Sequence, residues 1–358
     1  MSVKIEFFED TAVTRLKRRI AEASDEEINK ILREYEIPSP GEFDKPLAYI
    51  QTTPLSIQKE KIKKNDIVFI PLGSTEVHGP HSVPAQDLLQ ASRLCEAIRR
   101  YTAKQGRETN LAYSPWVYAW HPYHHIGMIG TIPVSPKILV HQLVDVMFGL
   151  WAMGLRKQIF VNNHAGISLV VQAINEFRYR YPQLPIIAIA IDWCVVARDF
   201  LRSKIRGGPF ETEFIHADEV ETSIALVLCP EMVRMEWAVD TTPKGYLPEG
   251  HFDKSADTLD RPNKWYAQEG LTPQEVAATP EGVVGKATLA KAEKAKRAVA
   301  FILKYLTLLH DQILEAFPPG KLPPIEETTL FSKEEVECYL KDPEEPGYKN
   351  PYRLWKPF

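Results

Sequence analysis

The sequence predicts a layered α/β/α fold around a mostly parallel central sheet, with an extension at each end. Two observations predict it. Between residues 65 and 315, short β-branched apolar runs alternate with longer segments of helical periodicity, the pattern of parallel strands joined by crossover helices. Histidines and carboxylates gather just after those apolar runs, at the carboxyl ends of the strands, where open α/β sheets bind their ligands.

The elements follow in order. Residues 1–64 are charged and helix-like: "TAVTRLKRRIAEASDEEINKILREYEI" has apolar residues at helical spacing and a capping signal at Ser24-Asp25. "PSPGEF" then breaks the pattern, so 1–64 is expected to be an N-terminal helical extension packed on the core or on a neighbouring subunit. "DIVFIPLG" predicts a buried strand at 66–73, followed by the helix "LLQASRLCEAIRRYTAKQ". "TNLAYSPWV" predicts a second strand at 109–117. "PKILVHQLVDVMFGLWAMGL" is a long apolar helix opened by proline. "KQIFVNNH" gives a third strand at 157–164, "SLVVQAINEFRYRYP" a helix stopped by proline, and "PIIAIAIDW" a fourth strand at 185–191. "DEVETSIALVLCPEMV" is a helix ending near Pro230, and 236–280 reads as irregular. "TLAKAEKAKRAVAFILKYLTLLHDQILEAF" is a long amphipathic helix whose basic first half is expected to face water. Residues 316–358 form a proline- and aromatic-rich arm, expected to dock through Tyr352, Trp355 and Phe358.

Composition narrows the function. A chain of 358 residues suits one large domain with extensions. The net charge of −4 leaves no basic excess to neutralise phosphates, so a nucleic-acid partner is not expected. No apolar run reaches the roughly 18 residues of a membrane span, and the N-terminus lacks the apolar core of a signal peptide. Cys95, Cys194, Cys229 and Cys338 are widely spaced, which reads as a reduced, cytoplasmic protein rather than a disulfide framework.

The chemistry concentrates in "PLGSTEVHGPHSVPAQD". Glu76 and His78 leave the first strand two residues apart, so in extended backbone both side chains point the same way. Asp87 returns from the start of the next helix and is placed to bridge two metals. His164 ends the third strand, Trp193 ends the fourth, and His125 lies in the loop after the second. Imidazole and carboxylate without thiolate suit Zn, Mn or Fe(II). A two-metal centre of this kind generates hydroxide at neutral pH and clamps the substrate oxygen. Each residue alone has a plainer reading, a solvated histidine or a helix cap. Their convergence on one sheet edge favours a metal site.

These residues carry a resemblance to the creatininase family of metal-dependent hydrolases. The family pattern G-[ST]-x-E-x-H-G-x-H, then Asp, is similar to "GSTEVHGPH…D" here. The Asn-Gly-His-Gly-Gly-Asn element resembles "NNHAGIS", the His-Ala-Gly-x-x-Glu-Thr-Ser element "HADEVETS", and "HIGMIGTI" and "GVVGKATLAKAEKAK" fit as well. The resemblance covers roughly 65–315 and leaves the extensions unexplained. It implies that Glu76, His78, Asp87 and His164 bind metal, with Asp87 bridging. It implies that His216 is a general acid or base for the leaving group and that Trp193 flanks the substrate. It implies a homo-oligomer, often a hexamer.

Departures from the pattern shape the expectation. Creatininase itself has a metal-binding glutamate two residues after the second-element histidine, where this chain has Gly166, so either one ion is held or another carboxylate serves. Glu221 is the candidate replacement, its alternative being a helix-surface or supporting carboxylate. His81 reads as substrate-orienting or as backbone-bonded. His121, Tyr123, His124 and His125, beside Trp116, Tyr118 and Trp120, read as the floor of a polar-substrate pocket or as a packed subunit contact. The expected reaction opens a small polar ring through metal-activated hydroxide, using one or two divalent ions. Gly166 and the chain length lean toward carbon–carbon hydrolysis of a diketo-inositol, as in the inositol-breakdown branch of the family. The alternatives are amide or formamide cleavage and an inactive metal-binding scaffold.

Overall fold

The computed structural model describes residues 9–121, 125–242 and 279–356. Its sheet has four strands, all parallel, in the order β2-β1-β3-β4: β1 Ile67–Leu72, β2 Asn110–Leu111, β3 Lys157–Asn162 and β4 Ile187–Asp192. Leu72 pairs with Asn162 and Asn162 with Asp192, so three strands end level and their continuations emerge on one edge.

The period-two alternation of the strands assigns the faces. Ile67 and Phe69 of β1, Ile159 and Val161 of β3, and Ile191 of β4 enter one core. That core is completed by helices α1 (Ala12–Glu22), α2 (Asp25–Glu34), α4 (Gln86–Lys104), α8 (Glu219–Leu228) and α9 (Ala292–Ala316). Val68, Ile70, Leu72 and Phe160 enter the opposite core with α5 (Pro136–Ala152) and α6 (Ile167–Arg180). Phe69 and Phe160 are fully buried on opposite faces, each contributing roughly 1.5–3 kcal/mol. The predicted α/β/α layering is therefore present.

The second strand is much shorter than 109–117. Its ladder ends when the Ala112 N–H donates to the Phe69 carbonyl, and Pro115 has no N–H to continue one. The short strand also explains Pro71 in a central strand. Phe69 faces β2, so Pro71, two residues on, faces the same side beyond β2's end, where no ladder bond is lost. Trp193 opens the short helix α7 (Trp193–Val196) instead of ending a strand.

The N-terminal extension packs on this chain's own core. Ile20, Ile28, Ile31, Leu32 and Tyr35 share a cluster with Val299, Phe301 and Leu303 of α9. A capping box at Ser24 starts α2, and the Lys17 ammonium donates to Asp199 at 2.8 Å. This contact corrects the expectation that the basic half of α9 faces water. Arg297 donates to the carbonyls of Ile20 and Ala23 at the end of α1, and Lys294 binds Glu219. The C-terminal arm docks across the amino ends of the strands, away from the ligand edge. Lys157 donates to Asp66 and to the Pro318 carbonyl, Gly320 N–H donates to Asp66, and the Trp355 indole donates to Asp145. Residues 357 and 358 lie outside the described part.

Candidate metal centre

Backbone geometry brings the donors together. Gly73 lets the exit of β1 approach the start of α4: a Cβ there would stand 2.3 Å from the Leu88 backbone nitrogen. That approach carries Asp87, in the first turn of α4, back beside Glu76, where the helix N-terminus favours a negative charge. The Glu76 N–H donates to the Pro84 carbonyl and closes the intervening loop. The segment after β2 is laced to the same loop, with Ile132 N–H donating to the Thr75 carbonyl and Val77 N–H to Thr131 Oγ1. His121 and His125 arrive by this route. Before α8 the chain turns through Ala217, in left-handed backbone at φ 48°, a conformation that costs an L residue about 1 kcal/mol. The turn is held by Asp218, which accepts from the N–H groups of Ile215, Val220 and Glu221. It aims His216 and Glu221 at one point.

Two donor sets flank the Asp87 carboxylate, within a cluster where Glu76 also groups with His78 and Asp87, with His121 and His164, and with His125 and His216, and His78 with His216 and Glu221. On one side, His164 Nδ1 lies 3.0 Å from Asp87 Oδ2 and 3.4 Å from Glu76 Oε2. On the other, His78 Nε2 lies 3.4 Å from Asp87 Oδ1 and 3.5 Å from Glu221 Oε2. Ligands about 2.1 Å from one ion stand roughly 3.0–3.4 Å apart in octahedral or tetrahedral arrangements, and the observed spacings match. The imidazole tautomers match as well. His78 donates from Nδ1 to the Glu76 carbonyl and His164 from Nε2 to the Trp120 carbonyl, leaving the other nitrogen of each ring facing the carboxylates. His78 Nε2 is buried and makes no hydrogen bond.

The electrostatics ask for positive charge between these groups. Burial opposes charging His78, yet Glu221 and Asp87 hold its imidazole well above the usual histidine range. His164, also disfavoured by burial, is pushed up to about 9 by its bond to Asp87 and the charge of Glu76. Burial alone would raise the carboxylates. Instead His216, His121, His125 and His164 hold Glu76 well below its ordinary value, and His78 with His164 brings Asp87 down to about 2. His216 goes the other way. Burial and the neighbouring His125, with ring centroids 4.1 Å apart, hold it well below the histidine range. Its Nε2–H donates to the Val77 carbonyl at 2.6 Å, and Nδ1 lies 3.9 Å from Glu221 Oε2.

The structure gathers Glu76, His78, Asp87, His164, His216 and Glu221. His125 joins them, Nδ1 standing 2.5 Å from Glu76 Oε1. His81 stands apart: its Nε2 pairs with Thr222 Oγ1 at 2.9 Å, and its carbonyl accepts from Arg234 N–H. Trp193 is fully buried, and its indole N–H donates to the Asn163 side-chain oxygen. It reaches the donor set through Asn163, whose amide donates toward Asp87 Oδ1 at 3.4 Å. Tyr123 and His124 lie outside the described residues. Two residues were not assigned to this centre from the sequence. His121 Nδ1 lies 3.6 Å from Glu76 Oε1, with its Nε2 3.0 Å from Ser74 Oγ. Asn163 donates toward Asp87; the signal for it was the string itself, an amide where the family element has glycine. At Gly166 a Cβ would make ordinary van der Waals contact with the His164 and Trp116 rings at 3.9 Å.

Comparison with known proteins identifies relatives over most of the chain. Residues 52–309 match the family model described as creatininase, creatinine amidohydrolase. A protein of Thermotoga maritima named 3-dehydro-scyllo-inosose hydrolase is 46% identical over 310 residues, covering 86% of this chain and 97% of that protein. Two solved structures share the fold. A mutant creatininase of Zn–Zn type has a TM-score of 0.56 at 18% identity, covering 78% of this chain and all of that one. A manganese creatininase has a TM-score of 0.54 at 18% identity, covering 76% and 99%.

Proposed function

This chain belongs to the creatininase family of hydrolases, and from that premise we propose that it binds two divalent ions and opens a polyhydroxylated ring bearing two carbonyls, the diketo-inositol class to which its Thermotoga maritima relative's name refers. The observation that carries the reading is Asp87, whose two carboxylate oxygens face separate donor sets. Glu76, Asp87 and His164 would hold one ion, and His78, Asp87 and Glu221 the other, with Glu221 supplying the carboxylate that Gly166 lacks. Mn or Zn is favoured by the structural relatives, and the nitrogen–oxygen donor set also suits Fe(II). When bound, such ions lower the pKa of coordinated water and polarise a carbonyl.

The chain's own groups supply the rest. His216 is fixed by Val77 so that Nδ1 is the atom free to take and return a proton. His121 and His125 brace Glu76. Overall, water adds its hydroxyl to one carbonyl carbon and the bond to the carbon between the two carbonyls breaks. That carbon leaves as an enolate and takes a proton, giving one open-chain keto acid. Exposed Ile129, on the segment laced to the Glu76 loop, and Ile138, near the start of α5, 97% and 60% accessible, support the homo-oligomer that the family resemblance implies. Among the described residues no helix is long and apolar enough to cross a membrane.

The test is direct. The Mn2+-loaded protein is incubated separately with 3-dehydro-scyllo-inosose, creatinine and a formamidopyrimidine, and acid release is followed. Acid from the inosose alone supports the reading. Turnover of an amide substrate without the inosose replaces it with the amidohydrolase alternative.

A further inference from the structure

We propose that Asn163 and Trp193 together form a positioning device for Asp87, one that sets the affinity of the ion position built from His78, Asp87 and Glu221. The inference rests on the two-metal reading above. Asn163 follows β3 directly, is 8% exposed, and has both side-chain polar atoms engaged. Its side-chain oxygen accepts from the Trp193 indole N–H and, at 3.7 Å, from the Cys194 thiol. Its amide nitrogen donates to Gln90 Oε1 at 3.0 Å and toward Asp87 Oδ1 at 3.4 Å. Gln90 in turn donates to the Glu221 carbonyl at 3.3 Å.

The direction of this chain is fixed at one end. An indole N–H only donates, so Trp193 compels the Asn163 amide to present its oxygen inward and its NH2 group toward Asp87 and Gln90. Trp193 is itself immobile, fully buried at the start of α7. The oxygen of Asp87 so addressed is Oδ1, the one facing His78. Oδ2 is held separately by His164. Asn163 therefore contacts only the oxygen of the shared carboxylate that faces His78, and through Gln90 it ties the same side to the helix carrying Glu221. Partners that orient metal ligands in this way typically change metal affinity by roughly 10–100-fold.

The experiment is a Mn2+ titration of the full chain by calorimetry and electron paramagnetic resonance, on wild type, Asn163→Ala, Trp193→Phe and Glu221→Gln. Apo melting temperatures and the KM of the substrate are measured in parallel. Wild type is expected to bind two ions. In Asn163→Ala and Trp193→Phe, one ion keeps its affinity within about threefold and the other weakens by roughly 10–100-fold, the same ion that Glu221→Gln loses. Two ions bound with wild-type affinity in both variants overturn the inference and leave the two-metal reading standing. Both affinities falling together with the apo melting temperature also overturn it, since that is a packing defect. A changed KM with unchanged metal binding returns Trp193 to a substrate-contact role. Failure of wild type itself to bind two ions overturns the two-metal reading and this inference with it.

Discussion

Replacing Glu221 with glutamine removes one negative charge and keeps the side-chain volume. Its oxygen stands 3.5 Å from His78 Nε2, the spacing of two ligands around one ion, and removing the charged partner of a buried ion costs about 3–5 kcal/mol. The corresponding ion should therefore bind roughly 10²–10⁴-fold more weakly, while the ion held by Glu76, Asp87 and His164 is retained. A second substitution sharpens the test. Gly166 has ordinary backbone angles, φ −86° and ψ 18°, and its Cβ meets only van der Waals contacts, so Gly166→Glu is sterically admissible. Placed in the Glu221→Gln background, it should recover at least tenfold of the lost affinity. Calorimetric Mn2+ titration of the single and double variants reads both effects. Unchanged affinity in Glu221→Gln would refute the reasoning, because Glu221 would then be a supporting carboxylate only.

Two further outcomes are expected. His216→Asn should lower kcat by roughly 10²–10⁴-fold with both ions still bound by metal analysis; loss of an ion instead would make His216 a ligand. Glu42 anchors the N-terminal segment to α4. Burial would raise its pKa, but hydrogen bonds from Arg99 and Lys45 and the charge of Arg100 hold it below the usual glutamate value. A depressed folded value means the stabilisation is present above the unfolded pKa of about 4.3 and is lost as pH falls through the folded value. Glu42→Gln should thus lose about 2 kcal/mol at pH 7, and denaturant melts should show the difference from wild type shrinking below about pH 4.

How far the sequence could be read depends on the kind of interaction involved. Strands and helices were legible because their pattern is local: Ile67, Phe69, Ile159 and Val161 declare one face by period two alone. The β2 strand was overextended because ladder length depends on a partner, and the apolar run past Leu111 says nothing of Pro115's missing donor. Glu76, His78, Asp87 and His164 were legible because each lies within a few residues of a strand end or the following helix start. Glu221 was legible only as one of two alternatives. Its approach to His78 depends on the left-handed Ala217, a tertiary outcome that no periodicity encodes. The substrate-flanking role of Trp193 rests on the family resemblance, and the structure adds what the string does not show, that its N–H is turned to Asn163. The basic face of α9 was read as solvated because lysine and arginine usually are. The carbonyls that Arg297 caps belong to α1, some 275 residues away in the chain.

The central claim is that the two donor sets sharing Asp87 act together in ring opening. It is tested most directly by the initial rate of acid release from 3-dehydro-scyllo-inosose as Mn2+ is returned stepwise to chelator-treated protein. The account predicts little turnover through the first equivalent, a steep rise through the second, and a plateau at two ions per chain. Full activity at one equivalent, or activity that persists without metal, would contradict it.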